Sequence, residues 1–355
     1  GGTSGVSTLS DDSIVVAGTI GNDVYVGQLE DDGSPDSQYA LTNTLDGSPT
    51  YVEGEAAVVL DADVAVFDAE LTALDNFDGA TLTLARTSAA DAEDLFSSSG
   101  LLGTLTESGN LLYNSVIVGT VTTNSNGTLL LTFNTNATND SVNGVMQAIA
   151  YSNSSDTPPT SVQIDWSFDD GNTGSQGSGG ALQATGSTTV SITAINDAPV
   201  LDNSAYLTMT GITEDATTNN GNLISEILAS DGVITNPVTD ADAAALEGIA
   251  IHSFTSPNGT WEYYLSDDAT PAWTPCGAVS WNGALLLRAT DRLRFVPNGE
   301  AGGNPSLLFT AWDQTSGDNG DKVDTSVFDP TGAFSFEVDA VNMSVSDIND
   351  APVVD

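Results

Sequence analysis

The stretch TTVSITAINDAPVLD (188–202) carries an alternating apolar pattern, Val190, Ile192 and Ala194, straight into Asn196-Asp197-Ala198-Pro199-Val200. The chain writes the same phrase again in SDINDAPVVD (346–355). Strict alternation is the mark of a strand with one face buried. Proline at 199 and 352 stiffens the exit from each strand and biases the preceding residue to extended backbone. A strand that ends in Asn-Asp and a proline reads as the last strand of a domain, so the phrase divides the chain into a leading segment (1–48) and two domains, 49–198 and 199–355.

Working outward, the texture is β throughout. The runs TLLLTFN (128–134), SVQIDWSF (161–168), LLLRAT (285–290), LRFVP (293–297) and FSFEVDAV (334–341) are alternating, β-branched or aromatic, and Gly, Asn, Asp and Ser clusters separate them. This spacing predicts antiparallel β-sandwiches. Helical periodicity is confined to TNDSVNGVMQAIAYSN (138–153), where Val142, Val145, Met146 and Ile149 share a face behind an Asn/Asp/Ser start. The leading SDDSIVVAGTIGNDVYVGQLEDDGSPDS predicts two strands joined by a turn. A lone hairpin is marginal in water, so it must pack on the first domain or add to a sheet edge of another copy.

The 355 residues carry 49 Asp+Glu against 5 Lys+Arg, a formal charge of −44. Such a polyanion repels nucleic acid and anionic membrane and suits a protein that gathers cations. The acids are spread along the chain, which argues against a disordered acidic arm. One cysteine, Cys276, excludes an internal disulfide, and a secreted chain without disulfides needs another staple, for which metal is the usual choice. No apolar run approaches the roughly 20 residues of a membrane span. The chain opens on Gly1-Gly2 with no visible signal peptide and reads as a mature piece or a fragment. A single histidine, His252, is thin material for nucleophilic catalysis, GSGG (177–180) sits in a polar loop and leads into no helix, and no zinc spacing occurs, so an enzyme is not expected.

The two domains repeat one another at acidic positions. VFDAEL (66–71) matches VTDADA (238–243), setting Asp68 and Glu70 opposite Asp240 and Asp242. FDDGNTG (168–174) matches AWDQTSG (311–317), setting Asp170 opposite Asp313, and Glu53 and Glu214 each stand near a domain start. Carboxylates and Asn amides are hard oxygen donors, and calcium takes about 6–8 of them in flexible geometry. If Asp240 and Asp242 lie between the second and third strands and Asp313 after the sixth, they meet at one end of their sandwich, where Asn196, Asp197 and Glu53 join them. Packed carboxylates repel by about 4 kcal/mol per pair at 4 Å in an effective dielectric of about 20, so the set needs a cation. By the same logic Asp68, Glu70 and Asp170 form one half-site and Glu214, Asn349 and Asp350 another.

The INDAPV exits, the DAE and DAD loops and DGNTG resemble the cadherin-like repeats of large bacterial surface adhesins, as do GATLTLAR (79–86), SVNGVMQAIAYSN, GTWEYYLSDDATPAWTPCGAVSW (259–281) and DRLRFVPN (291–298). The resemblance covers about 49–355 and implies tandem Ig/cadherin-like antiparallel sandwiches in an elongated arrangement, with Ca2+ held by the residues just named. The acidic motif of the middle loops is not recognisable, which implies fewer ions than the animal pattern holds. The leading segment resembles one delta-sixty repeat, a propeller-type unit that cannot close a propeller alone. The implied function is a calcium-stabilised extracellular extender of a bacterial cell-surface adhesin, with neighbouring repeats, other copies of itself, surface glycans or other cells as partners, and neither nucleic acid nor inserted membrane among them. Two alternatives are carried. One is a filament subunit joined by strand complementation through residues 1–48. The other is a lectin using the aromatics Trp261, Tyr263, Tyr264, Trp273 and Trp281, which burial of Trp261 would end; a core-filling role is the plainer reading of that cluster. Arg288, Arg292 and Arg294 are expected to pair locally with acids such as Asp291, His252 to be structural and Cys276 inert.

Overall fold

The computed structural model describes the backbone of the strands Gly2–Thr8, Ile14–Ile20 and Asp23–Leu29, and residues 44–174 and 180–351. Pro352 and Gly177–Gly179 of the GSGG loop therefore fall outside the described residues. The chain divides into two units, Gly1–Ala194 and Ile195–Asp355. Both are all-β sandwiches with a few short helices.

In the leading segment the two expected strands, Ile14–Ile20 and Asp23–Leu29, pair antiparallel, and a third, Gly2–Thr8, pairs on the other side of Ile14–Ile20. The sequence GTSGVST has no apolar alternation to announce it; backbone pairing alone makes it a strand.

The larger part of the first unit is a seven-stranded sheet, in spatial order Thr50–Val52, Gln183–Thr193, Ser161–Asp169, Thr81–Arg86, Thr128–Phe133, Val116–Ser125 and Asn110–Tyr113. It accompanies a three-stranded sheet of Val58–Val59, Ile149–Asn153 and Asp94–Ser98. Alternation does the sorting: Leu82, Leu84, Leu129, Leu131, Ile164, Trp166, Phe168 and Val190 point into one core with Phe77, Phe96 and Tyr151, while their neighbours face out. Each fully buried side chain of this size contributes about 1.5–3 kcal/mol. The helix Asn139–Gln147 starts where expected: Thr138 Oγ1 accepts from the Ser141 amide and Ser141 Oγ accepts from the Thr138 amide. It stops at Ala148, short of the expected run to 153, because Ile149–Asn153 pairs with Asp94–Ser98. Three consecutive buried residues, Ile149, Ala150 and Tyr151, suit a strand covered on both faces better than another helical turn.

The second unit has a six-stranded sheet in the order Leu207–Thr208, Asp339–Asn342, Ser306–Trp312, Gly248–Thr255, Ala284–Arg288 and Lys322–Val323. A four-stranded sheet joins Asn222–Leu223, Arg292–Pro297, Gly259–Tyr264 and Thr274–Pro275. Ile249, Ile251, Leu285, Leu287, Leu293, Phe295 and Phe309 fill the core with Trp261. Two strands from its early part run parallel to two from its end, Leu207 opposite Val341 and Ile212 opposite Val345, as Tyr51 runs opposite Ile192 in the first unit. The opposite face of the large sheet carries a smaller core of Ala250, Ala284, Leu286, Trp312 and Ala333. That second layer explains ALLLR, buried without alternation. It also corrects FSFEVDAV: only Asp339 onward is strand, and the preceding residues lie over the sheet, with Phe334 packed and Phe336 exposed.

Three further expectations concern single residues. Cys276 is buried, and burial pushes its thiol up to about 12, which leaves it inert. Arg288 pairs with Asp267 and Arg294 with Glu262, whereas Asp291 spends its carboxylate on the Arg288 and Ser266 amides. Asp291 therefore closes a turn instead of pairing with arginine. Trp261 is 4% exposed, wedged between Phe254 and Phe295, which ends the lectin reading built on the aromatic cluster around it. Among the described residues, no helix is long and apolar enough to cross a membrane.

Candidate metal centre

The clearest acidic site is built within the second unit. Strand Val238–Thr239 delivers Asp240 and Asp242 into the loop ahead of Gly248–Thr255. Strand Ser306–Trp312 delivers Asp313 at its end. The unit's first residues supply Asn196 and Asp197. The Asp197 amide donates to Asp242 Oδ2 at 2.9 Å. Asn196 Nδ2 donates to Asp313 Oδ2 at 2.9 Å and to the Gly332 carbonyl at 3.1 Å. Asp313 is 3% exposed, and its Oδ1 takes both the amide and the hydroxyl of Thr315.

Asp240 is the pivot. Its Oδ1 accepts from the Asp242 amide at 2.8 Å. Its Oδ2 is buried with no hydrogen-bond partner among the described residues. Burial first, then the charges of Asp242, Asp313 and Asp197, push its carboxyl above the usual carboxylate range. Among the described residues the ion pairs join Arg86 to Asp91 and Asp94, Arg288 to Asp267 and Arg294 to Glu262, and none of these arginines pairs with Asp240, Asp242 or Asp313. An orphaned buried oxygen among hard anionic donors is what a calcium-sized cation fits: Asp197, Asp240, Asp242 and Asp313 would hold it.

Glu214 makes a second focus at the other parallel joint. It is 1% exposed, its amide donates to Ser346 at 3.0 Å, and its Oε1 accepts from the Ile348 amide. Its Oε2 is buried and unpartnered among the described residues. The chain continues from Ile348 into Asn349 and Asp350, both exposed, with Asn349 Nδ2 turned to the Asp350 carbonyl at 3.3 Å. Glu53 stands at the matching place in the first unit, its amide donating to Thr193 at 3.0 Å. A carboxylate oxygen of Asp156 lies within 4.8 Å of one of Glu53. Sequence reasoning misses Asp156, because a single acid in SSDTPPT (154–160) has no partner at motif spacing.

The remaining acids of the first unit have local occupations. Asp68 caps the helix Ala69–Leu74, its Oδ1 accepting the Glu70 and Leu71 amides, and Glu70 is exposed. Asp170 is 8% exposed and ties its own loop through the Asn172 and Leu182 amides. A different trio converges: carboxylate oxygens of Asp46, Asp61 and Asp63 lie within 4.8 Å of one another. Asp61 is buried and accepts the Gly47, Asp63 and Val64 amides, and its hydrogen bond with Asp63 raises the Asp63 carboxyl. The signal was in plain view, since LDADVA (60–65) repeats the DAD of 240–242 letter for letter.

No known protein family and no curated protein matches the chain. Among solved structures it is similar to mouse cadherin-23 EC22–24, at 14% identity and a TM-score of 0.34, over 87% of this chain and 66% of that one. It is similar to protocadherin gamma B2 extracellular cadherin domains 1–5, at 11% and 0.29, over 96% and 46%. It is also similar to zebrafish RET cadherin-like domains 1 to 4, at 10% and 0.29, over 95% and 58%. The chain thus spans from under half to about two thirds of the length of these structures.

Proposed function

We propose that the chain is a calcium-stabilised, non-enzymatic extracellular module that serves as an extender of a cell-surface adhesin. One observation carries the reading: an Asp240 oxygen, buried and without a hydrogen-bond partner among the described residues, stands among the charges of Asp242, Asp313 and Asp197. A bound Ca2+ supplies positive charge there and nothing more. The side chains do the rest. Asp313 and Asp242 hold Asn196 and the Asp197 amide, so a cation on their carboxylates fastens the unit's first residues to the loops at its end. The resemblance of the INDAPV exits and the DAD loop to bacterial adhesin repeats supports the bacterial cell surface as its location.

The test is thermal unfolding of the full chain with millimolar calcium and after chelation, paired with calorimetric titration. Calcium is expected to raise the melting temperature, a free ion at 100 times its Kd contributing about 2.7 kcal/mol per independent site. Identical melting in calcium and chelator, with no heat of binding, overturns the reading.

A further inference from the structure

Trp281 is unlike the other tryptophans of its unit. Trp261 is buried, and the Trp312 ring lies in the small core on the outer sheet face. Trp273 is half-buried, with the Arg294 guanidinium 4.1 Å from its centroid. Trp281 is 44% exposed, yet it is not a loose surface side chain. It sits on a two-residue turn closed by reciprocal bonds between Ser280 and Gly283, at 3.2 and 3.0 Å. Its carbonyl accepts from both the amide and the hydroxyl of Thr325, at 2.7 and 3.1 Å. One face of the indole lies on the His252 imidazole, ring centroids 3.9 Å apart and planes 17° from parallel. His252 is 4% exposed and kept neutral by burial, which lowers its pKa to about 4. The ring is therefore backed, anchored and open on its other face.

Beside it stands a polar edge. Asn282, the next residue of the turn, donates to Asp324 Oδ2 at 3.2 Å and to Ser326 Oγ at 3.4 Å, and the three are exposed. Hydrogen bonds from Ser326 and Asn282 keep the Asp324 carboxyl below the usual range, hence ionised.

We propose that Trp281, with Asn282, Asp324 and Ser326 beside it, is a binding site for a neutral β-linked polysaccharide. The axial C–H bonds of a β-pyranose form a flat apolar face that fits an indole, and its ring hydroxyls both donate and accept, matching an amide, a carboxylate and a hydroxyl at the rim. A pre-oriented ring loses little side-chain freedom on binding. The formal charge of −44 selects against sulfated and uronate polymers and against anionic lipid.

The site is separate from the calcium cluster, so the two readings fail separately: chelation moves melting, whereas Trp281→Ala moves retention. The experiment is affinity electrophoresis of the full chain in calcium buffer through gels holding laminarin, hydroxyethylcellulose or β-1,4-galactan, with heparin and a proline-rich peptide as competitors. At least one neutral glucan or galactan is expected to retard the protein. Trp281→Ala is expected to weaken that binding by at least about tenfold, or about 1.4 kcal/mol. Trp281→Phe should retain part of it and Trp273→Ala all of it. Circular dichroism checks that Trp281→Ala melts with the parent. No retardation by any neutral glycan, retardation that survives Trp281→Ala, or binding of the peptide in place of the glycan each overturns the proposal.

Discussion

At the scale of single residues, charges decide stability in two opposite ways. Asp94 is a satisfied buried charge: Arg86 binds it through two nitrogens at 2.8 and 2.7 Å, and Tyr151 and Asn153 donate to the same carboxylate. Asp94→Ala would leave the partly buried Arg86 and the Tyr151 hydroxyl unmatched. It is expected to cost about 3–5 kcal/mol in denaturant unfolding, with or without calcium. Asp240 is an unsatisfied one. Asp240→Asn removes repulsion from the chelated protein, which should melt at or above the parent, and removes a ligand, so the rise on adding calcium should shrink. A parent-sized calcium response in Asp240→Asn would take Asp240 out of the site. His252 adds a pH signature. Its pKa falls from 6.5 to about 4 on folding. Between those values the unfolded chain takes up a proton that the folded chain refuses, so stability falls as the solution is acidified from 6.5 to 4, by about 3 kcal/mol in all. His252→Gln should lose that part of the slope when melting temperatures are compared across this range.

At the scale of elements, pairing overrides local pattern in named places. Ile149 is in phase with the helical face of Val142 and Val145, yet it starts a strand, because Ile149–Asn153 completes the three-stranded sheet. FSFEVDAV alternates as a strand should, yet most of it covers a sheet face. Gly119 shows how close the strands come. It lies opposite Phe133 on one side and Leu111 on the other, and a Cβ there would stand 2.2 Å from the Thr132 carbonyl oxygen. Gly119→Ala must push these strands apart and is expected to cost about 1–3 kcal/mol, read as a lower midpoint in urea. A variant as stable as the parent would show that the strand has room to shift.

At the scale of the whole molecule, the formal charge of −44 sets the response to ions. Monovalent salt should stabilise the chelated protein by screening diffuse repulsion, while calcium should act at far lower concentration because it binds particular oxygens. Equal potency of the two ions per unit ionic strength would reduce the effect to screening. The leading strands hydrogen-bond among themselves, and the first side chains described beyond them, Thr44 and Leu45, serve the sandwich that follows: Thr44 Oγ1 accepts the Ala65 amide and Leu45 packs on the core. Removing residues 1–43 should leave the main melting transitions in place and the protein monomeric in light scattering. Assembly of the full chain that this deletion abolishes would instead favour a strand-complemented filament.

Alternation and turn residues by themselves determined that the chain is all-β and where most long strands run, because burial of one face writes a two-residue period into the sequence. The same letters placed Asp240, Asp242 and Asp313 on neighbouring loops, since those loops follow strands that alternation reveals. Only the tertiary structure decided what else each acid holds and which acids gather. Asp68 matched Asp240 in sequence but caps a helix, while Asp61 and Asp63, in a second DAD, gather with Asp46. It decided that Trp261 is core and Trp281 is surface, although both sit in the same aromatic stretch. Proximity and burial belong to pairs of residues far apart in the chain, and no period or spacing within one strand records them.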